Sequence, residues 1–281
     1  MAGVAITTMA RNLDHMFRDW CSYHLQAVDR IFVWLDDPGE AHSPHLPVDA
    51  RVHIRLGSQY RQGSVHGDFM IRQDKNAERS LSLCLQERFD WLIHLDVDEL
   101  LYPAHRETLH RNLPASAGHV TLLNHEVCPH WDCDNPFKDC NFFKLNGRSD
   151  FNLYSNGKAA VRPQPRVYPR DAHSFGGYTG DAVTAPDMAV LHYACPSYDR
   201  WLAKYAALGD FPDFWWDNPQ HRITISFHLQ SRDLYKHCLR EGNFQPAIDF
   251  WSGQVLMPEE LAQLRREGAI GWFAPMQSLR R

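Results

Sequence analysis

The sequence predicts an α/β protein, a mostly parallel sheet flanked by helices and followed by a helical carboxy-terminal tail. Three observations predict it. Short β-branched and aromatic runs alternate with stretches of helical apolar spacing over the first ~100 residues, as strand and helix do in a sheet covered on both faces. The most apolar of these runs, Phe89 to Leu95, directly follows the second helical stretch. The chain has 281 residues, 44% of them apolar, with 15 Phe, 10 Tyr and 9 Trp. At roughly 150 residues per domain that is two units, or one large domain with an appendage.

Val4 to Met9 (VAITTM) and Arg30 to Leu35 (RIFVWL) read as strands, and Leu13, Met16, Phe17, Trp20, Tyr23 and Ala27 repeat between them at helical spacing. Asn12 is the expected N-cap of that helix, and the second strand runs into the turn cluster Asp36-Asp37-Pro38-Gly39. Arg51 to Leu56 is a third strand. Met70, Gln73, Ala77, Leu81, Cys84 and Leu85 mark a second amphipathic helix, leading into Phe89 to Leu95. The order is β-α-β-β-α-β, and in such a sheet ligands bind outside the carboxyl ends of the strands.

Beyond Pro103 the pattern loosens. His119 to Val127 (HVTLLNHEV) is one more strand, and residues 128–157, polar, aromatic and rich in Asn and Asp, form a long functional loop. Met188 to Tyr193 (MAVLHY) is a late strand, and Ser197 caps a helix carrying Trp201, Leu202 and Tyr205 that stops at Gly209. From Ile223 onward the chain is mainly helical, with Pro258 in a first turn and Gly268 after the last periodic residues.

Composition excludes several classes. The formal charge is -5, and the basic residues are scattered, with no run longer than a pair, so nucleic acid is not a partner. No apolar stretch approaches the ~20 residues a transmembrane helix needs. The amino terminus, MAGVAITTMARN, lacks the pattern of a cleavable signal peptide. Seven cysteines in 281 residues are too few and too uneven for a disulfide scaffold, which favours reduced thiols and a cytoplasmic location.

The sharpest chemical feature is Trp91 to Pro103, WLIHLDVDELLYP. Residues two apart on an extended chain face the same way, so Asp96 and Asp98 present two carboxylates at the sheet's carboxyl end. Such a pair is either a solvated acidic turn or the hard-oxygen seat of a divalent cation that also binds phosphate. The strand preceding it, after a β-α-β half of nucleotide-binding type, favours the cation.

This strand with Asp-x-Asp-Glu, an upstream Asp-x-x-x-Tyr-His and a later His-Tyr-x-x-x-Ser resembles glycosyltransferase-A proteins of the family 2 and family 92 type. The matching pieces are Asp19 to His24, Phe89 to Leu101, Gly157 to Pro163, and His192-Tyr193 with Ser197 and Lys204, in order over about residues 4–208. The chain departs at Arg11-Asn12-Leu13, where such families often carry Lys-Asn-Glu. The resemblance implies a Rossmann-like fold of glycosyltransferase-A type and transfer of a hexose from a nucleotide diphosphate sugar, a UDP-sugar, to a hydroxyl of a glycan or other acceptor, with inversion and with Mn²⁺ or Mg²⁺. It divides the chain into a catalytic domain over 1–215, with a donor half (1–103) and an acceptor half (104–215), and a helical extension over 216–281.

On this resemblance Asp98 is the direct metal ligand, Asp96 touches the donor ribose or the metal shell, and His192 completes the metal set. Glu99 orients a ligand or packs at the turn. Asp36 and Asp37 are candidates for the nucleoside, and Lys158, Arg162 and Lys204 for the diphosphate. The physics agrees, since a cation bridging the diphosphate stabilises the charge that builds on the leaving group. Inversion also needs a carboxylate on the acceptor side. Glu126 is the first candidate, with Asp132 and Asp134 competing, and Trp131, Phe142 and Phe143 are candidates for a sugar-stacking wall. A zinc site from His125, Cys128, His130, Cys133 and Cys140 is disfavoured by irregular spacing. Two further readings are a non-catalytic glycan- or protein-binding member of the same fold, and a phosphohydrolase using Asp96 as nucleophile.

Overall fold

The computed structural model describes residues 3–280. In chain order the elements are β1 (Val4–Ala10), α1 (His15–His24), β2 (Arg30–Leu35), β3 (Val52–Leu56), α2 (Val65–Glu87), β4 (Trp91–His94), β5 (Glu99–Tyr102), α3 (Arg106–Arg111), β6 (Ala117–Leu122), β7 (Asn124–Val127), α4 (Pro136–Asp139) and β8 (Phe142–Lys144). There follow β9 (Lys158–Val161), β10 (Tyr168–Asp171), β11 (Ser174–Gly176), β12 (Asp181–Thr184), β13 (Ala189–His192), α5 (Tyr198–Leu208), α6 (Ser226–Glu241), α7 (Gln245–Ser252), α8 (Pro258–Arg266) and β14 (Ile270–Trp272).

The predicted class holds: the fold is mixed α/β, with a largely parallel sheet flanked by helices. The main sheet has seven strands in the order β12-β6-β9-β4-β1-β2-β3. β4, β1, β2 and β3 run parallel, and β9 lies antiparallel between β4 and β6. Every residue of β1 is buried, as the inner strand of a sheet covered on both faces must be. The chain winds outward from β1 to β2 and β3, then returns through α2 to place β4 on the other side of β1. The strand order therefore reverses between β1 and β4, the place where sheets of this kind bind ligands at the strands' carboxyl ends.

A second sheet, β14-β8-β7-β13-β5, carries the other half of the site. The run predicted as a single strand over His119 to Val127 is two strands in two different sheets, because the chain turns at Leu123 and crosses from β6 to β7. The loop predicted over 128–157 contains α4 and β8. α1 is capped by Asp14, whose carboxylate accepts from the Met16 N–H at 2.9 Å. Asn12, expected there, instead sits at φ 56°, a left-handed position that Asn tolerates. Helices α5, α6 and α7 build their own core from Trp201, Tyr205, Phe227, Cys238 and Trp251. No described helix is long and apolar enough to cross a membrane.

Candidate functional site

The acidic run after β4 is a tight turn. The Glu99 N–H donates to the Asp96 carbonyl at 3.1 Å, and the Asp96 N–H donates to the Glu99 carboxylate at 2.7 Å. The extended geometry expected for Asp96 and Asp98 is thus replaced by a turn that gives each acid its own cation. Asp96 accepts from the Lys158 ammonium at 2.6 Å and from the Gln73 amide at 2.7 Å. Asp98, about one-third exposed, has the Lys204 ammonium 3.8 Å away.

Helix α1 holds this turn from behind. The Trp20 indole N–H donates to the Glu99 carbonyl at 2.7 Å, the Tyr23 hydroxyl donates to the Leu101 carbonyl at 2.7 Å, and the His24 Nε2 accepts from the Leu101 N–H at 3.1 Å. The sequence pattern Asp19 to His24 therefore serves as a brace on β5. Burial drives the His24 pKa down to about 3, so the ring is neutral and its free nitrogen can accept. Asp19 faces the other way, toward Lys138 at 2.5 Å and Asn135 at 3.2 Å.

Lys158, at the start of β9, has no exposed side-chain surface. Besides Asp96 it donates to the Ala172 carbonyl at 3.1 Å and lies 3.4 Å from the Glu99 carboxylate. Burial works against the ammonium, but Asp96 and Glu99 outweigh it and raise the Lys158 pKa. Burial likewise pushes Glu99 well up while Lys158 opposes it, and the Tyr154 hydroxyl donates to that carboxylate. For Asp96 the Lys158 charge overcomes burial and the pKa falls; for Asp98 burial prevails over Lys204, aided by the charge of Asp96, and the pKa rises.

His192 ends β13 next to this turn. It pairs with Glu99 on β5 and with Glu126 on β7, and Glu126 pairs with Lys144 on β8. Directly paired residues on adjacent strands share a face, so Glu99, His192, Glu126 and Lys144 form one row across the second sheet, about 5 Å from strand to strand. The Tyr193 N–H, one residue on, donates to the Asp98 carbonyl at 2.8 Å. Burial holds the His192 pKa far below its usual value, the Lys204 and Lys158 charges add to this, and the ring packs 4.5 Å from that of Tyr154. Its Nδ1 is buried and has no hydrogen-bond partner.

Buried ring nitrogens without a hydrogen-bond partner also occur on His53, His66, His94, His110, His119 and His228. His192 is set apart by its place in the chain next to Tyr193, which bonds the Asp98 carbonyl, and there a metal would satisfy the free nitrogen. A neutral imidazole and the half-open Asp98 carboxylate suit Mn²⁺ or Mg²⁺. Among the described residues no three His, Cys, Asp or Glu side chains form a metal-binding group, so phosphate and water oxygens would complete the shell. Asp96 has both oxygens engaged and fits a supporting role; the same engagement leaves it poorly placed as a nucleophile.

At the ends of β1 and β2 lies a cleft of about 620 Å³ lined by Arg11, Asp36, Arg61, Gln62, Asp68 and Arg72 among others. The 96–99 turn contributes no wall to it, and α2 connects the two through Arg72 and Gln73. Asp36, 2% exposed, is gripped by Arg72 through two bonds of 2.5 and 3.0 Å, with Arg61 and Arg11 at 3.7 and 3.8 Å. Asp37 is exposed and caps the following turn through the Gly39 N–H at 2.8 Å. Arg72 and Gln73, adjacent on α2, thus fasten the carboxylates that end β2 and β4. Neither stands out as a site residue in the sequence. A signal for them exists all the same: His66, Asp68, Arg72, Gln73, Asn76 and Ser80 form a buried polar stripe at helical spacing along α2.

Other predicted residues lie apart from the turn. The Arg162 guanidinium donates to the Ala117 carbonyl at 3.2 Å and stacks 4.5 Å over Trp91, at the amino end of β4, so the structure does not bring it to Asp96. Glu126 accepts from the Asn152 and Leu153 N–H groups at 2.7 and 2.8 Å, beside a cavity of about 10 Å³, room for roughly one water. Burial raises its pKa against the pull of those amides and Lys144. Asp132 and Asp134 are exposed in the loop before α4. Phe143 is wholly buried between Tyr193 and Phe273, whereas Trp131 is half exposed against Tyr198. Of the residues weighed for zinc, Cys133 and Cys140 come together, with sulfurs 2.7 Å apart, and His125 accepts from the Asn146 N–H.

No protein-family model matches the chain. In sequence it is similar to two glycosyltransferase-like proteins of Arabidopsis thaliana. One is 29% identical over 158 residues, 47% of this chain and 31% of that protein. The other is 29% identical over 153 residues, 45% of this chain and 34% of that protein. The match spans about a third of each relative's length. Among solved structures, HddC from Yersinia pseudotuberculosis aligns with a TM-score of 0.36 at 12% identity, covering 74% of this chain and 98% of that one. The 4-diphosphocytidyl-2C-methyl-D-erythritol synthase of Anaerococcus prevotii gives 0.31 at 10%, covering 58% and 72%. Structural likenesses this slight carry no weight for function.

Proposed function

We propose that the protein is a glycosyltransferase of glycosyltransferase-A type that moves a hexose from a nucleotide diphosphate sugar, a UDP-sugar, to an acceptor hydroxyl with inversion. One observation carries the reading: His192, whose buried Nδ1 has no hydrogen-bond partner, directly precedes Tyr193, which bonds the Asp98 carbonyl. The similarity to glycosyltransferase-like proteins supports it.

In this reading the nucleoside enters the cleft between Arg11, Arg61 and the Asp36–Arg72 pair. Asp96, set by Lys158 and Gln73, receives the ribose. Asp98 and His192 hold Mn²⁺ or Mg²⁺, which when bound supplies Lewis-acid stabilisation of the diphosphate. Lys204, on α5, adds positive charge at the same point. Glu126 is the base: it lies on the far side of His192 from Glu99, and a carboxylate offers about four acceptor positions, of which the two backbone amides use two. An acceptor hydroxyl reaches it through the one water its cavity admits.

The test is a screen of nucleotide sugars with purified protein and Mn²⁺, following donor hydrolysis and transfer. The reading predicts release of one nucleotide diphosphate from one donor class and loss of that release in Asp98→Asn. No release from any donor, with no shift in melting temperature on adding UDP or GDP, contradicts it.

A further inference from the structure

Residues 214–218 cross the amino end of α2, and Trp216 and Asp217 there adopt φ of 53° and 55°. Two successive non-glycine residues in the left-handed region are strained and persist only where their surroundings hold them. Here Asp217 ties them to the amino end of α2, alongside the Trp216–Asp74 hydrogen bond and the Trp215 N–H to the His221 carbonyl. Asp217 accepts from the Ser64 N–H and from the Ser64 hydroxyl, both at 2.6 Å, and the same hydroxyl accepts from the Gly67 N–H at 2.9 Å to cap α2. Asp68 takes the two preceding amides, Gln62 and Gly63, each at 2.9 Å. Three consecutive N–H groups are therefore fixed by two carboxylates, at the helix end where negative charge is favoured.

The fit leaves no slack. A Cβ on Gly63 would lie 2.4 Å from an Asp217 oxygen, and one on Gly67 2.5 Å, so glycine at both positions makes room for that carboxylate. Gln62, Gly63, Val65 and Asp68 are also wall residues of the arginine-lined cleft. Behind the segment, the Trp215 ring packs 5.4 Å from His66 and 5.7 Å from His228, which ties it to both α2 and α6.

We propose that Asp217 is a positioning residue of the donor cleft, locking the 62–67 turn in the shape that receives the nucleotide. The proposal rests on the donor reading of that cleft. The lock is made by a residue far along the chain, so the carboxy-terminal helices set nucleotide affinity without touching the nucleotide. Removing the carboxylate frees the Ser64 amide and hydroxyl and loosens the wall.

The experiment compares wild type, Asp217→Ala, Gly67→Ala and the double variant by calorimetric titration with UDP in Mn²⁺ and by amide hydrogen exchange over residues 62–67. Asp217→Ala is expected to weaken UDP roughly tenfold, the scale of one charge-assisted hydrogen bond, and to speed exchange. Gly67→Ala, which evicts the carboxylate by bulk, has the same effect, and the double variant is no weaker than either single one, because the two changes break the same lock. UDP affinity in Asp217→Ala equal to wild type overturns the proposal, even with a lower melting temperature, as do single-variant losses that multiply in the double variant. If wild type binds neither UDP nor GDP, the donor reading fails, and exchange alone then decides the lock: faster in Asp217→Ala upholds it, unchanged overturns it.

Discussion

Replacing Lys158 by Met removes the one cation that Asp96 and Glu99 share. The ammonium lies 2.6 Å from Asp96 and 3.4 Å from Glu99, with no exposed surface on Lys158 or on Glu99. Breaking a buried ion pair by deleting one partner costs about 3–5 kcal/mol, because the remaining charge stays in a medium that solvates it poorly. For a chain of this size that is a fall in Tm of roughly 5–9 °C. The loss depends on pH with a definite sign. Lys158 holds Asp96 down and restrains the rise that burial gives Glu99, so without it both folded-state pKa values are higher than in the wild type. Protons bound by the folded acids relieve the penalty, so it is largest at pH 7 and shrinks toward pH 5. The assay is urea unfolding of wild type and Lys158→Met at both pH values, with Lys158→Met/Glu99→Gln as the variant that recovers part of the loss at pH 7. A loss under about 1 kcal/mol at pH 7, or one equal at the two pH values, refutes the reasoning.

Three further outcomes come from the same structure. Glu126→Gln lowers kcat by roughly 10²–10⁴-fold with donor binding retained, whereas Asp132→Asn leaves kcat within about twofold, as measured by initial rates once a donor is known. Acid weakens the fold: burial lowers His94 and His66 to about 4 and His24 and His228 to about 3. Their stabilising effect is complete above the unfolded value near 6.5 and is lost as pH falls through the folded values, so Tm measured from pH 7 to 4 drops steadily. Asp74 has the opposite sign, since burial lifts its carboxyl to about 7 against the Trp216 hydrogen bond. Asp74→Asn therefore raises Tm more at pH 8 than at pH 5.

What could be read from the chain and what could not differ for physical reasons. β1 to β4 and their helices were legible because each is a local pattern, a buried apolar run or an amphipathic repeat bounded by turn residues. Of the second sheet β13 was legible in Met188 to Tyr193 and β7 only as the end of a longer run, whereas β5, β8 and β14, three or four residues long and joined through distant pairings, were not. His119 to Val127 carries no Gly or Pro at the point where the chain changes sheets, so nothing local marks the break. In the site, the acids of the 96–99 turn and His192 stand out by type and position. Lys158 is visible as a candidate cation, but the buried clasp it makes with Asp96 and Glu99 is not, since ion pairing across 62 residues leaves no local trace. Arg72 escapes notice because an Arg on an amphipathic helix reads as solvent-facing, whereas this one is 2% exposed against Asp36. Arg162 misleads for the converse reason: it directly follows the strand that Lys158 opens, and the four residues of β9 carry it to the amino end of β4, away from Asp96.

The most direct measurement is UDP binding by isothermal titration calorimetry at fixed protein and varied Mn²⁺, on wild type, Asp98→Asn and His192→Ala. Wild type binds UDP with an affinity that rises with Mn²⁺, and each variant loses that rise while keeping the Tm of the unliganded protein within a few degrees. UDP binding that ignores Mn²⁺ in wild type, or a rise with Mn²⁺ that survives in both variants, contradicts a metal held between Asp98 and His192.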